Sequence, residues 1–216
     1  MMARTTKPAD ERRDEILDAA QRLFVTKGFR ATTIEDLLAA VGIAKGTLYY
    51  HFAGKDEILQ ALVMRTVRQV TARAEAVAAS DLNPLHKFIG VVATVSADAE
   101  AAELAEEFHA SGNDAFHLMS IIELICHLTP VLTRVVEEGV AAGVFTTGQP
   151  REDVEIILTG IGFLTDDGIF TGEQAEIPRR IRGLVDAGER LLGCPAGSLA
   201  VLAGSAAPET PSGGEA

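Results

Sequence analysis

Cysteine, tryptophan and tyrosine are all scarce in this chain of 216 residues, which holds two Cys, no Trp and two Tyr, with aromatic side chains at only 5%. Cys126 and Cys194 make no metal-ligand spacing and no disulfide framework, which fits a reducing, cytoplasmic setting. Long apolar runs are missing as well. The longest stretches, around Phe88 to Ala97 and Val154 to Thr165, are broken by glycine and polar residues well short of the roughly 18 residues a bilayer span requires. No membrane span is therefore expected. The opening MMARTTKPADERRDE is charged and shows no apolar core of a secretory signal. An excess of positive charge is absent too: the net charge is −12 and the isoelectric point lies near 4.8.

What is present belongs to a folded protein. Apolar residues make up 47% and charged residues 23% of the chain, the mean hydropathy is +0.18, and a chain of this length can bury a sizeable core. The acidity is unevenly spread. Residues 1–55 carry nine Lys/Arg against seven Asp/Glu, a net of +2, so the remainder carries −14 of the total −12. An acidic protein is ordinarily a poor ligand for nucleic acid, because phosphate neutralisation supplies most of the affinity. A mildly basic head on an acidic body escapes that argument, since the body is repelled from a duplex and only the head can approach it.

Alternating strand patterns are hard to find, whereas apolar residues recur at three- and four-residue spacing almost throughout, so the chain reads as all-α. A first helix is predicted from Ala9 to Lys27, with Ile16, Ala20, Leu23 and Phe24 on one face and Gly28 as its C-cap. Thr33 is a suitable N-cap for a short second helix, with Asp36 as a short version of the capping-box acid. After Gly42 a third helix begins near Ala44 and carries Leu48 and Phe52 inward. A fourth runs from Lys55 to about Ala79, and further helices are predicted at Leu85–Phe108, Phe116–Ala142 with a break possible near Pro130, Arg151–Phe170 and Gln174–Leu192. The Pro/Gly/Ser-rich end after Cys194 reads as a disordered tail.

Thr32 to Phe52 therefore holds a short helix, a glycine turn and a second short helix, the arrangement that lays a recognition helix in the major groove. Its chemistry suits that task. With Leu48 and Phe52 facing inward, Lys45, Gly46, Thr47, Tyr49, Tyr50 and His51 are left to face a partner, and both tyrosines of the chain sit here. Hydroxyls, lysines and helix amides bind phosphate oxygens, and Lys, His and Tyr can also reach base edges. Tyr49 could alternatively complete the small core.

The ordered run Asp14-Glu15-Ile16-Leu17-Asp18-Ala19-Ala20, Leu23-Phe24, Gly28-Phe29, Thr32-Thr33-Ile34, Val41-Gly42-Ile43, Lys45-Gly46-Thr47-Leu48-Tyr49-Tyr50-His51-Phe52, Lys55 and Ile58-Leu59 closely resembles the DNA-binding domain of the tetracycline-repressor (TetR) family. The resemblance covers about the first quarter of the chain. It implies phosphate contacts from Thr33, Thr47, Tyr49 and Lys55, with Glu35 a weaker candidate near the backbone, and an approach to bases by Lys45, Gly46, Tyr50 and His51. Two positions depart from the family pattern: Ala44 stands where a capping Ser is usual, and Leu38 where a small Ala is usual.

The resemblance implies a helix-turn-helix domain at 9–55, an effector-binding and dimerisation domain at 56–193 and a tail at 194–216. The expected partners are a double-stranded DNA operator, a small-molecule effector and a second copy of the chain, paired through the apolar faces of the last two predicted helices. His109, Phe116, His117, Met119, Glu123, Cys126 and His127 are the candidate effector-binding residues, because a small-molecule site needs an apolar wall with a few oriented polar groups. Paired His and Glu residues there, among them Glu103, Glu106, Glu107 and His109, make no tight metal-ligand pattern, and no cofactor is expected. No G-x-S-x-G and no phosphate-cradling glycine loop is present, so no enzyme is expected. The expected function is a ligand-responsive repressor. The alternative is a dimeric small-molecule carrier or sensor with a vestigial helix-turn-helix.

Overall fold

A computed structural model describes residues 8–96, 114–166, 169–170 and 172–204. Every regular element among them is helical: α1 (Ala9–Lys27), α2 (Ile34–Val41), α3 (Lys45–His51), α4 (Lys55–Ala78), α5 (Pro84–Ser96), α6 (Asp114–Ala141), α7 (Pro150–Leu164), a 3-10 turn (Gln174–Glu176), α8 (Ile177–Leu192) and α9 (Ala200–Gly204). The chain divides into two compact units. One gathers the described residues up to Val70 with the start of α6 to Glu123, and the other gathers 71–96 with the described residues from Leu124 onward. The division falls inside α4 rather than at Lys55, so α4 is a single 24-residue helix shared by both.

The first unit is built on the side chains that the helical period selects. Ile16, Leu17, Ala20 and Phe24 of α1, Leu37 of α2, Leu48 of α3, Phe52, and Ile58, Leu59 and Leu62 of α4 are all buried, and Phe24 meets Phe29 edge to face at 5.0 Å. Gly28 closes α1 with its N–H on the Phe24 carbonyl and a φ of 89°, a conformation that favours glycine. Gly42 closes α2 in the left-handed region at φ 71°, its N–H on the Leu38 carbonyl. This turn directs α3 away from α2.

The second unit has a core of Phe88, Val91, Leu128, Val131, Leu132, Val135, Val136, Phe145, Val154 and Leu192. Lys87 of α5 reaches the Glu138 carboxylate of α6 with both oxygens at 2.9 Å, and Arg134 of α6 reaches Glu75 of α4 at 2.5 Å. Gly139 leaves room for the Phe145 ring, which a Cβ would meet at 2.2 Å. α7 packs on α8, and the Cβ that Gly160 lacks would stand 2.5 Å from Leu184 Cδ2.

Four expectations are corrected. α6 passes through Pro130 without a break; Pro130 is exposed, so the carbonyl it cannot serve is free to turn to water, and Thr129 and Thr133 hydroxyls bond back to the preceding turn at 2.7 and 2.8 Å. α7 ends at Leu164, short of Phe170. Residues 117–141 of α6 are long and apolar enough, at mean hydropathy 1.5, to cross a membrane by length and composition, against the expectation that no stretch is. Its apolar side, however, is spent in the second unit's core through Leu128, Val131, Leu132, Val135 and Val136. Finally, the segment after Cys194 is ordered through Gly204. Glu189, buried on α8, accepts the N–H groups of Gly197 at 2.9 Å and Leu199 at 2.8 Å, and Leu199 is buried. Composition alone does not reveal that a buried carboxylate waits to pin this segment. The predicted stretch 97–108 of the fifth helix lies outside the described residues.

Candidate nucleic-acid interface

The α2–α3 segment is held at both ends by polar contacts. At the start of α2, Thr33 forms a capping box: the Asp36 N–H donates to Thr33 Oγ1 at 3.1 Å, and the Thr33 N–H and hydroxyl both donate to Asp36 Oδ2 at 2.8 Å. Lys27 also pairs with Asp36. That lysine bond, followed by the two from Thr33, holds the Asp36 carboxyl down at about 2 from its usual 3.8. Both donors of Thr33 are thus committed within the protein, and a phosphate would have to displace Asp36 to use them.

α3 presents two unlike faces. Leu48 is fully buried, whereas Tyr50 is 78% and Tyr49 45% exposed, and Lys45 and Gly46 are exposed beside them. The Lys45 ammonium lies 5.9 Å from the centre of the Tyr49 ring, and Tyr50 meets the His51 ring edge to face at 5.0 Å. A Cβ on Gly46 would meet nothing within 4 Å, so the backbone there is open to close approach. Thr47 and His51 are half-buried at the margin of this face. Ala44 caps α3 with no side-chain bond, as its departure from Ser implies.

Lys55 is turned inward. Its ammonium donates to the carbonyls of Phe29 at 2.6 Å, Thr32 at 2.8 Å and Arg30 at 3.4 Å and lies 4.4 Å from the centre of the Phe29 ring. Burial pushes its pKa down, with a smaller opposing pull from Asp56. The family resemblance implies a phosphate contact for Lys55, and nothing local in the sequence reveals carbonyls 23 to 26 residues earlier.

The structure therefore brings Lys45, Gly46, Tyr49 and Tyr50 together on one open face, with Thr47 and His51 at its edge, and sets Thr33 and Lys55 apart from it. The candidate effector residues do not converge in the same way. His109 lies outside the described residues, and of Phe116 only its place in α6 is described. At about 100° per residue, His117 shares the buried side of α6 with Ile121 and Leu128, while Cys126 is exposed and Met119, Glu123 and His127 are intermediate. An open cleft of about 460 Å³ in the first unit is bounded by Asp18, Gln21 and Arg22 of α1 and Arg65 of α4, and none of the candidate effector residues lines it. Among the described residues no group of three His, Cys, Asp or Glu side chains is placed to hold a metal ion.

Residues 16–62 match the family described as "Bacterial regulatory proteins, tetR family", and residues 96–186 match "Tetracyclin repressor-like, C-terminal domain". The HTH-type transcriptional repressor KstR2 of Rhodococcus jostii strain RHA1 is 30% identical over 174 residues, covering 75% of this chain and 81% of that protein. The chain belongs to the tetR family. Within that family, KstR2 of Mycobacterium tuberculosis strain H37Rv is 36% identical over 90 residues, 42% of this chain, and the chain spans only 45% of that relative's length. A tetR-family transcriptional regulator from Mesorhizobium loti shares the fold, with a TM-score of 0.63 at 20% identity over 86% of this chain and 98% of the other. As a member of the tetR family, the chain has a helical fold with an N-terminal helix-turn-helix.

Proposed function

We propose that this regulator is a homodimeric repressor that binds a palindromic operator through α3 and is released by a small molecule bound in its C-terminal part. The observation that carries the reading is the two-faced α3, with Leu48 buried and Lys45, Gly46, Tyr49 and Tyr50 exposed together. An α-helix with its side chains is about 10 to 12 Å across, which fits a major groove about 12 Å wide. Lys45 and Tyr50 would approach base edges with His51 beside them, while Thr47 and Tyr49 would hold phosphates. Much of the nearby positive charge is already engaged, Arg12 by Glu15, Lys27 by Asp36 and Arg65 by Asp18. Hydroxyl contacts then carry more of the binding than in a strongly basic head.

A two-fold operator requires two heads about 34 to 36 Å apart, or a longer multiple-turn spacing. The faces of α7 and α8 support pairing: Ile156 is 57% exposed and Leu164 is exposed one helical face along, while Ile181, Leu184 and Val185 on α8 are only half covered. Four helices, two from each copy, would bury them. α4 belongs to both units of the chain, so it is the physical connection through which effector binding would change head spacing. A tenfold loss of operator affinity needs about 1.4 kcal/mol of such coupling. Thr33 and Lys55 are not assigned phosphate contacts in this reading.

The test is to retain genomic fragments on the purified protein at about 150 mM salt and sequence them, since affinity without a stated salt concentration is uninterpretable. The expected result is a short enriched palindrome. Absence of any enriched sequence would favour the carrier or sensor reading instead.

A further inference from the structure

Lys55 stands at the junction between the reading unit and α4, and its contacts bracket that unit in sequence. Its ammonium reaches the carbonyls of Phe29, Arg30 and Thr32, which immediately precede α2, while Lys55 itself immediately follows α3 as the first residue of α4. The loop it closes is therefore residues 33–54, the entire helix-turn-helix. We infer that Lys55 is a positioning residue, which clasps the two ends of the α2–α3 segment together and so sets the angle at which α3 meets the operator. This inference rests on the operator-binding reading.

The contacts of the ammonium support the role. An ammonium has three N–H donors and no acceptor, and three carbonyls receive them, two at 2.6 and 2.8 Å and the third at 3.4 Å. The face of Phe29 provides a further hold at 4.4 Å. Swinging the side chain out to a phosphate would break all of these at once. Two other contacts at this corner are local: the Ala53 N–H donates to Glu57 at 2.5 Å and the Ile58 N–H to the Gly54 carbonyl at 3.2 Å, so these two set the start of α4 without reaching back to α2. A guanidinium is a larger planar fork rather than a compact three-donor head, so Lys55→Arg changes the geometry of the clasp while keeping the charge.

These points separate a positioning role from a phosphate contact by experiment. Operator affinity is measured across a range of salt concentrations for the wild-type protein, Lys55→Met and Lys55→Arg, with far-UV circular dichroism and thermal unfolding on each. The inference predicts that both variants bind the operator at least about tenfold more weakly while the slope of log K against log salt stays within roughly 0.3 of wild type, because no phosphate contact is lost. Amide hydrogen exchange across Phe29–Thr33 should quicken in both. A phosphate contact predicts the opposite pattern: Lys55→Met loses about 0.9 from the slope and Lys55→Arg stays near wild type. That pattern, or wild-type affinity in both variants, overturns the inference. Should Lys55→Met fail to fold, Lys55→Arg decides by the same criteria. A wild-type protein that binds no DNA sequence would defeat the operator reading itself and take this inference with it, an outcome distinct from variants that differ while wild type binds.

Discussion

The carboxylate of Glu189, buried on α8, accepts the backbone N–H of Leu199 at 2.8 Å, and that of Gly197 at 2.9 Å. Ten residues of chain are thereby pinned under the end of α8. Leu199 fills the space beside Gly188, where a Cβ would lie 3.6 Å from Leu199 Cδ1 and 3.7 Å from Ile157 Cδ1. Leu199→Ala should cost about 2 to 5 kcal/mol by the usual transfer and cavity terms, and Glu189→Gln about 1 to 3 kcal/mol, because one of two backbone donors loses a charged acceptor. Denaturant unfolding checks both values, and stabilities within about 0.5 kcal/mol of wild type would contradict the pinning.

The same carboxylate affects Cys194. Burial, and then the negative charge of Glu189, push the Cys194 thiol up from its ordinary pKa of 9.0, whereas Cys126 is exposed. A thiol reagent at mildly alkaline pH should therefore label Cys126 first, with Cys194 following only slowly. Mass spectrometry of partly labelled protein reads the order directly. Labelling of Cys194 should speed up in Glu189→Gln.

Asp36 gives a pH dependence whose sign is fixed. Its carboxyl is held at about 2 instead of 3.8 by Lys27 and Thr33, so the folded state favours the ionised form. The stabilisation is complete above 3.8 and is lost as the pH falls toward about 2. The difference in unfolding temperature between wild type and Asp36→Asn should shrink across that interval. A difference that grows on acidification would contradict the capping-box account. Thr33→Ala removes the other half of the box and should cost about 1 kcal/mol.

The helical face proposed to join two copies can be tested at Ile156, which is 57% exposed on α7. Ile156→Asp would bury an unpaired charge in the dimer but meet water in the monomer. Light scattering should show a monomer of unchanged helicity, with operator affinity lost together with the second head. A stable dimer in this variant would place the interface elsewhere.

The helix-turn-helix was largely legible because its information is local. The apolar spacing of Ile16, Ala20 and Phe24, the Thr33 cap and the glycines at 28 and 42 each act within one or two turns, and α1 begins and ends at Ala9 and Lys27 as predicted. Leu48 and Phe52 are likewise buried as their spacing implied. What could not be read depends on partners distant in sequence. Lys55 resembles a surface lysine until the Phe29 and Thr32 carbonyls are brought to it. The segment after Cys194 is compositionally loose, and only Glu189 gives it order. Pro130 ordinarily breaks a helix, yet its exposed position on α6 lets the helix continue. The effector candidates rest on residue type and on their place in the chain, with no motif behind them, and a helix turning by about 100° per residue puts His117 and Cys126 on different sides.

The two faces of α3 provide the most direct test of the operator-binding account. Fragment selection from the same genome, at about 150 mM salt, is repeated with Lys45→Ala and Tyr50→Ala beside wild type. Both positions are exposed, so stability should stay within about 0.5 kcal/mol. The account predicts a palindrome in the wild-type selection and, in the variants, loss of preference at one or two symmetric base positions with the rest of the site unchanged. An enriched site identical in all three proteins would show that α3 does not read the operator.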